Sequence, residues 1–137
     1  MRAPDIFQVE DDEDFTYFME QAVAEINHNL NLKIAPNGKD AMQYLKELQL
    51  NSSKPGMILL DINLPGISGL DILKGIREIE FFQSVPIVIF STSDNPKDAA
   101  AMMEFGANGY QTKPQGYRGL VNCLKAMRID YLKTNQI

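Results

Sequence analysis

The chain has 137 residues, 45% of them hydrophobic and 23% charged, and its 13 basic against 18 acidic side chains leave a formal charge of −5. That length suits one domain with its own core, and no apolar run approaches the roughly 18 residues that a membrane span needs. A net negative surface does not favour direct nucleic-acid binding, and a single cysteine, Cys123, excludes an internal disulfide. The opening MRAPDIFQVEDD lacks the apolar stretch of a secretory signal, so a reducing cytoplasm is expected. Charge is uneven along the chain: residues 1–110 carry −9 and residues 111–137 carry +4.

In chain order, DIFQV (5–9) predicts a first strand. Residues 12–29 predict an amphipathic helix, because Phe15, Phe18, Met19, Ala22, Val23 and Ile26 recur at steps of three and four behind an acidic first turn. LKIA (32–35) predicts the second strand and 38–50 the second helix, with Ala41, Tyr44, Leu45 and Leu48 on its stripe. NSSKPG (51–56) is a loop-like insertion before the third strand, MILLD (57–61). A third helix at 68–80 carries Leu70, Leu73, Ile76 and Ile79 and leads to the fourth strand, PIVIFS (86–91).

The third and fourth strands are apolar almost throughout, as strands buried on both faces are, which puts them at the centre of a sheet. Pro96 suits the first turn of a helix at 96–105 and Gly106 its C-terminal stop, with Met102, Met103 and Phe105 expected to pack. GYQT (109–112) predicts the fifth strand, and a last helix runs from about 115 to 133 with Tyr117, Leu120, Val121, Leu124 and Tyr131 on one stripe. Strands alternating with helices predict an α/β fold, a doubly wound sheet of five parallel strands, since parallel strands need helical crossovers. The whole of 1–137 is expected to be that single domain, with no residues left for an output domain.

In such a sheet the functional crevice lies outside the C-terminal ends of the strands. There the sequence places Glu10, Asp11 and Asp12 after the first strand, Asp61 and Asn63 at the third, Ser91 and Thr92 at the fourth, and Lys113 and Pro114 after the fifth. Clustered carboxylates raise one another's pKa unless a cation sits among them. Magnesium, held by one or two carboxylates together with phosphate oxygen, is the natural cation. The set suits phosphoryl transfer, with a metal, an ammonium and a hydroxyl around the equatorial oxygens and a carboxylate oxygen attacking in line. Each residue alone has a plainer use. Asp11 or Asp12 could cap a helix, Asp61 could precede a turn at Pro65 and Gly66, and Lys113 could be solvated. His28 has no second His or Cys at ligand spacing and reads as surface.

Four segments in this order, VEDD (9–12), LLDINLPGISG (59–69), PIVIFST (86–92) and GYQTKP (109–114), resemble the receiver domain of bacterial two-component response regulators. The spacing of 30 residues from Asp61 to Ser91 and 22 from Ser91 to Lys113 is similar to that family's. The resemblance implies a flavodoxin-like strand order 2-1-3-4-5, and Asp61 as the phosphorylated residue. It implies a magnesium site, which manganese could fill, made by Asp11, Asp61, the backbone carbonyl of Asn63 and, through water, Glu10. Lys113 matches the phosphate-binding lysine, Ser91 the switch hydroxyl and Tyr110 the switch aromatic, and the Lys113–Pro114 peptide is expected to be cis. Thr92, beside Ser91, departs from the small residue usual there. Ser68 stands where aspartate is frequent. The loop before the third strand and TSDNP are similar to the small single-domain regulators of phytochrome-type kinases.

The function so implied is a phosphorylation switch rather than an enzyme acting on other molecules. Its partners would be a sensor histidine kinase or phosphotransfer protein and a downstream protein, or a second copy through the fourth helix, fifth strand and fifth helix, with neither nucleic acid nor membrane. Two alternatives stand beside it: a magnesium-dependent phosphatase with an aspartate nucleophile, and a receiver-like binding module that works without phosphorylation. In the first, a second aspartate two residues on would be the general acid; here that position is Asn63, which cannot donate and recover a proton.

Overall fold

The computed structural model describes residues 2–132; Met1 and 133–137, including the last residue expected in the fifth helix, lie outside the described residues. The strands are β1 (Ile6–Val9), β2 (Leu32–Ala35), β3 (Met57–Leu60), β4 (Ile87–Ser91) and β5 (Gly109–Thr112). The helices are α1 (Glu13–Ile26), α2 (Gly38–Leu50), α3 (Gly69–Arg77), α4 (Pro96–Glu104) and α5 (Tyr117–Tyr131). The strands pair in parallel in the order β2-β1-β3-β4-β5. The winding direction therefore reverses between β1 and β3, which puts the crevice beyond the C-terminal ends of those two strands.

Alternation along each strand divides the core in two. Phe7, Val9, Ile58, Leu60, Ile87 and Ile89 face α2, α3 and α4, where Ala41, Leu45, Ile72, Leu73 and Met102 meet them. Ile6, Met57, Leu59, Val88 and Phe90 face α1 and α5 and pack on Met19, Val23, Leu120, Val121 and Leu124. β3 and β4 are buried throughout, as their composition requires, and so is β1. In β1 the burial includes a polar side chain, because Gln8 is only 1% exposed and neither of its amide atoms has a hydrogen-bond partner.

The helices start where short polar side chains can accept orphan N–H groups. Asp12 Oδ1 accepts from Asp14 and Phe15, and Asn37 from Asp40. Ser68 accepts from Asp71 and Asn95 from Lys97. Ser68 thus has a capping role at α3.

Four expectations need correction. The first helix ends at Ile26 rather than 29, where Asn27 turns extended. The third helix ends at Arg77 rather than 80, and a 3-10 turn, Glu80–Phe82, follows. The Arg77 guanidinium draws the chain across by donating to the carbonyls of Phe82 and Val85. Of the three α4 side chains expected to pack, only Met102 is buried, while Met103 and Phe105 are exposed. A nine-residue helix with one inward-facing stripe leaves its other faces to solvent, and Phe105 instead lies under the Lys74 ammonium, 4.2 Å from its ring centroid. The Lys113–Pro114 peptide is trans, since the described residues contain no cis peptide bond. The trans form is the ground state for X–Pro bonds by about 0.5–1 kcal/mol, and the turn into α5 is made instead at Gly116, whose φ of 76° suits glycine alone. Among the described residues no helix is long and apolar enough to cross a membrane.

Candidate functional site

The rim at the ends of β1 and β3 is acidic and mostly out of solvent. Glu10 is 2% exposed and Asp61 7%, while Asp11 stands exposed between Glu10 and the helix-capping Asp12. Asp12 is committed to its cap, which leaves Asp11 as the second carboxylate facing Asp61. One carboxylate oxygen from each of Glu10, Asp11 and Asp61 lies within 4.8 Å of the other two. That donor set, all oxygen and mostly negative, suits a hard divalent cation. The crowding is built into the backbone: a Cβ at Gly69 would collide with the carbonyl of Asp61 and with Ile62, so only glycine lets α3 start this close to the β3 end. Asn63 is exposed, and its backbone N–H donates to Asp61 Oδ1 at 3.3 Å.

Lys113 brings the opposing charge from the far edge of the sheet. Its side chain is 9% exposed, and its Nζ lies 2.7 Å from Glu10 Oε1 and 3.4 Å from Asp61 Oδ2. The ammonium also sits 4.3 Å from the centroid of the Phe15 ring on α1, where the ring face attracts a cation. Its backbone N–H donates to the Ser91 carbonyl at 2.7 Å, which fixes the β5 end against β4. Burial pushes the Glu10 carboxyl above its ordinary range; Lys113 opposes that rise and the negative charge of Asp61 adds to it. In this arrangement one ammonium serves two buried carboxylates, so the site has spare negative charge.

At the β4 end the two adjacent hydroxyls separate cleanly. Ser91 is fully buried and Thr92 is exposed, so it is Ser91 that belongs to the interior of the crevice. Ser91 Oγ accepts from Ser93 N–H at 3.2 Å. Tyr110, paired with Ile89 across the β4–β5 ladder, turns its hydroxyl to the Ser93 carbonyl at 2.9 Å. The acids, Lys113 and Ser91 are therefore brought to one rim, Thr92 lies at its edge, and Tyr110 reaches the loop beside it.

Two residues were not singled out from the sequence. Ser93 carries contacts to three elements, and the only sequence trace is a serine five residues before Asp98 at a helix start. Arg77 donates to the carbonyls of Gly106, Phe82 and Val85 and to Asn108 Oδ1, acceptors that lie 5 to 31 residues further along the chain and that no local motif announces.

The family model for the response regulator receiver domain matches residues 6–125. The response regulator Rcp1 of Synechocystis is 29% identical over 131 residues, covering 94% of this chain and 89% of that protein. Its Mn(2+)-bound crystal structure superposes with a TM-score of 0.81 and covers 96% of both chains. The phosphorylated cyanobacterial phytochrome response regulator RcpA gives a TM-score of 0.85 at 30% identity, again covering 96% of both. The transcriptional regulatory protein SphR of Synechococcus elongatus is 33% identical over 98 residues, which span 69% of this chain but 37% of that longer protein. With the family's motifs on consecutive strand ends of the family's fold, this chain belongs to the receiver domains of two-component response regulators.

Proposed function

We propose that this receiver takes a phosphoryl group onto Asp61 from a phosphohistidine donor and answers by changing its protein contacts. The observation that carries the reading is the position of Asp61: 7% exposed, within 4.8 Å of the Glu10 and Asp11 carboxylates, and 3.4 Å from the Lys113 ammonium. An Asp61 carboxylate oxygen attacks phosphorus, the P–N bond to the donor imidazole breaks, and the histidine leaves with that electron pair. Lys113 holds an equatorial phosphoryl oxygen, and Ser91 offers its hydroxyl to another.

Asp11, Asp61 and the Asn63 carbonyl would hold magnesium, with Glu10 acting through water. The ion supplies charge neutralisation between the acids and the incoming phosphoryl oxygens. Manganese substitutes, in keeping with the Mn(2+)-bound form of Rcp1. The receiver is thus a signalling domain that catalyses only its own modification.

Donor approach is favoured on the α1 side. A cleft of about 210 Å³ lined by Phe15, Phe18, Pro114, Gly116, Tyr117 and Leu120 opens next to Lys113 and suits an apolar side chain from a helical kinase or phosphotransfer partner. Output passes through α4, β5 and α5 to a downstream protein or a second copy.

The test is incubation with magnesium and acetyl phosphate, followed by intact mass and by mapping of the acyl phosphate. One phosphoryl group on Asp61, absent in Asp61→Asn, is expected. An acyl phosphate mapped to any other residue overturns the assignment.

A further inference from the structure

The turn between β4 and α4 hangs on one residue. Ser93 is half-buried and uses its backbone N–H, its backbone carbonyl and its side chain on three different elements. The N–H donates to Ser91 Oγ at the β4 end, at 3.2 Å. The carbonyl accepts the Tyr110 hydroxyl from β5, at 2.9 Å. The hydroxyl donates to Asp98 Oδ2 in the first turn of α4, at 2.6 Å, and accepts the N–H of Asn95, the α4 cap residue, at 3.3 Å.

Those bonds differ in what they permit. A serine hydroxyl has one donor and two acceptor sites, so Ser91 can donate to a phosphoryl oxygen and still accept from Ser93 N–H. Movement of Ser91 Oγ toward Asp61 therefore carries the Ser93 peptide with it instead of releasing it. The displaced peptide takes the acceptor of Tyr110 along, and through the short charge-assisted bond it pulls on Asp98. α4 is poorly placed to resist, because Met102 is its only fully buried side chain. Its far end is held by Lys74 over Phe105 and by Arg77 on the Gly106 carbonyl, so displacement concentrates at the N-terminal turn.

We propose that Ser93 is a positioning residue of the switch, its bonds to Ser91, Tyr110 and Asp98 making the β4–α4 turn, the β5 aromatic and the start of α4 move as one unit. The inference deepens the proposed function and rests on Asp61 accepting the phosphoryl group. Ser91 and Tyr110 make no hydrogen bond of their own to α4, which otherwise meets the site through the packing of Met102 and the chain itself. The Ser93–Asp98 bond supplies the side-chain link.

The test reads phosphorylation and transmission separately on the full chain, using acetyl phosphate and magnesium. Intact mass gives the stoichiometry, and hydrogen exchange of the α4 amides from Lys97 to Glu104 gives the response. In the wild type, phosphorylation is expected to change α4 exchange by about fivefold or more, the scale of a local opening equilibrium shifted by roughly 1 kcal/mol. Ser93→Ala and Asp98→Ala should reach the same stoichiometry with that change reduced to less than about twofold. Asp98→Asn, which keeps an acceptor oxygen, should retain the wild-type response. A full α4 response in phosphorylated Ser93→Ala overturns the inference. So does an Asp98→Asn response as small as that of Asp98→Ala, which would assign the effect to the charge of Asp98 and not to the bond. A wild-type chain that takes no phosphoryl group fails at the mass measurement, before exchange is read; that outcome overturns the proposed function and this inference with it.

Discussion

Lys113 Nζ lies 2.7 Å from Glu10 Oε1 while Asp61 Oδ2 is 3.4 Å away, so the lysine is held more tightly by the acid of β1 than by the residue proposed to be modified. Removing one partner from a buried ionic group leaves the others uncompensated, at a cost of about 3 kcal/mol. Lys113→Met is expected to lose stability on that order in metal-free buffer, with the deficit shrinking in millimolar magnesium. Paired urea titrations with and without the ion check this; a deficit independent of magnesium would show that the cation does not share the lysine's task.

Magnesium should stabilise the unmodified protein, because an ion bound only by the folded state contributes RT ln(1 + [Mg]/Kd), about 1 to 3 kcal/mol when the ion is well above Kd. Melting temperature is the observable. The rise should be largely absent in Asp11→Ala, since Asp11 is the exposed member of the acidic trio and is not occupied by the helix cap.

Glu10 sets a pH dependence with a definite sign. Its folded-state pKa lies above the ordinary 4.5, through burial first, with Lys113 opposing and Asp61 adding. The folded protein therefore binds more protons than the unfolded chain above that value. The resulting stability is full below about pH 4.5 and is lost as pH rises through the folded-state pKa. In metal-free buffer Glu10→Gln should melt higher than wild type at pH 7, and the two should converge toward pH 4. A Glu10→Gln variant that melts lower at pH 7 would mean that its pairing with Lys113 outweighs its desolvation.

Arg77 ties the end of α3 to the Phe82 and Val85 carbonyls and to the turn before β5 through Gly106 and Asn108. Arg77→Leu should cost about 2 to 4 kcal/mol, because two partly buried carbonyls and two exposed acceptors lose a charged donor at once. Arg77→Lys should recover little of it, since an ammonium lacks the planar fork that reaches acceptors on three segments. Chemical denaturation of the three proteins decides.

Gln8 sits inside the α1/α5 side of the sheet with both amide atoms unpartnered. Substituting an apolar side chain of similar volume removes a desolvation cost of about 1 to 3 kcal/mol. Gln8→Met is expected to raise the urea midpoint without changing phosphorylation at Asp61. A lowered midpoint would reveal that the amide is satisfied in solution by an internal water.

The sequence by itself determined the order, type and approximate bounds of all five strands, and the starts of the helices to within two residues. These features are local: apolar runs that only a two-sided strand can bury, stripes at a helical period, and short polar side chains that cap α1 to α4. It also placed Glu10, Asp11, Asp61, Ser91 and Lys113 at strand ends, because in a parallel sheet the C-terminal ends of all strands share one rim. Residue types alone left the division of labour among neighbours open, although the family resemblance had pointed to Ser91 over Thr92. Asp12 rather than Asp11 caps α1, and Ser91 rather than Thr92 is buried. Both outcomes depend on which side of a strand end each side chain leaves, and a shift of one residue reverses that. Tertiary structure alone decided the trans Lys113–Pro114 peptide, the Arg77 bonds and the convergence of Ser91, Tyr110 and Asp98 on Ser93. Those contacts join segments that are far apart in sequence or that meet only after the sheet closes, and their geometry is set by packing of the whole rather than by any local preference.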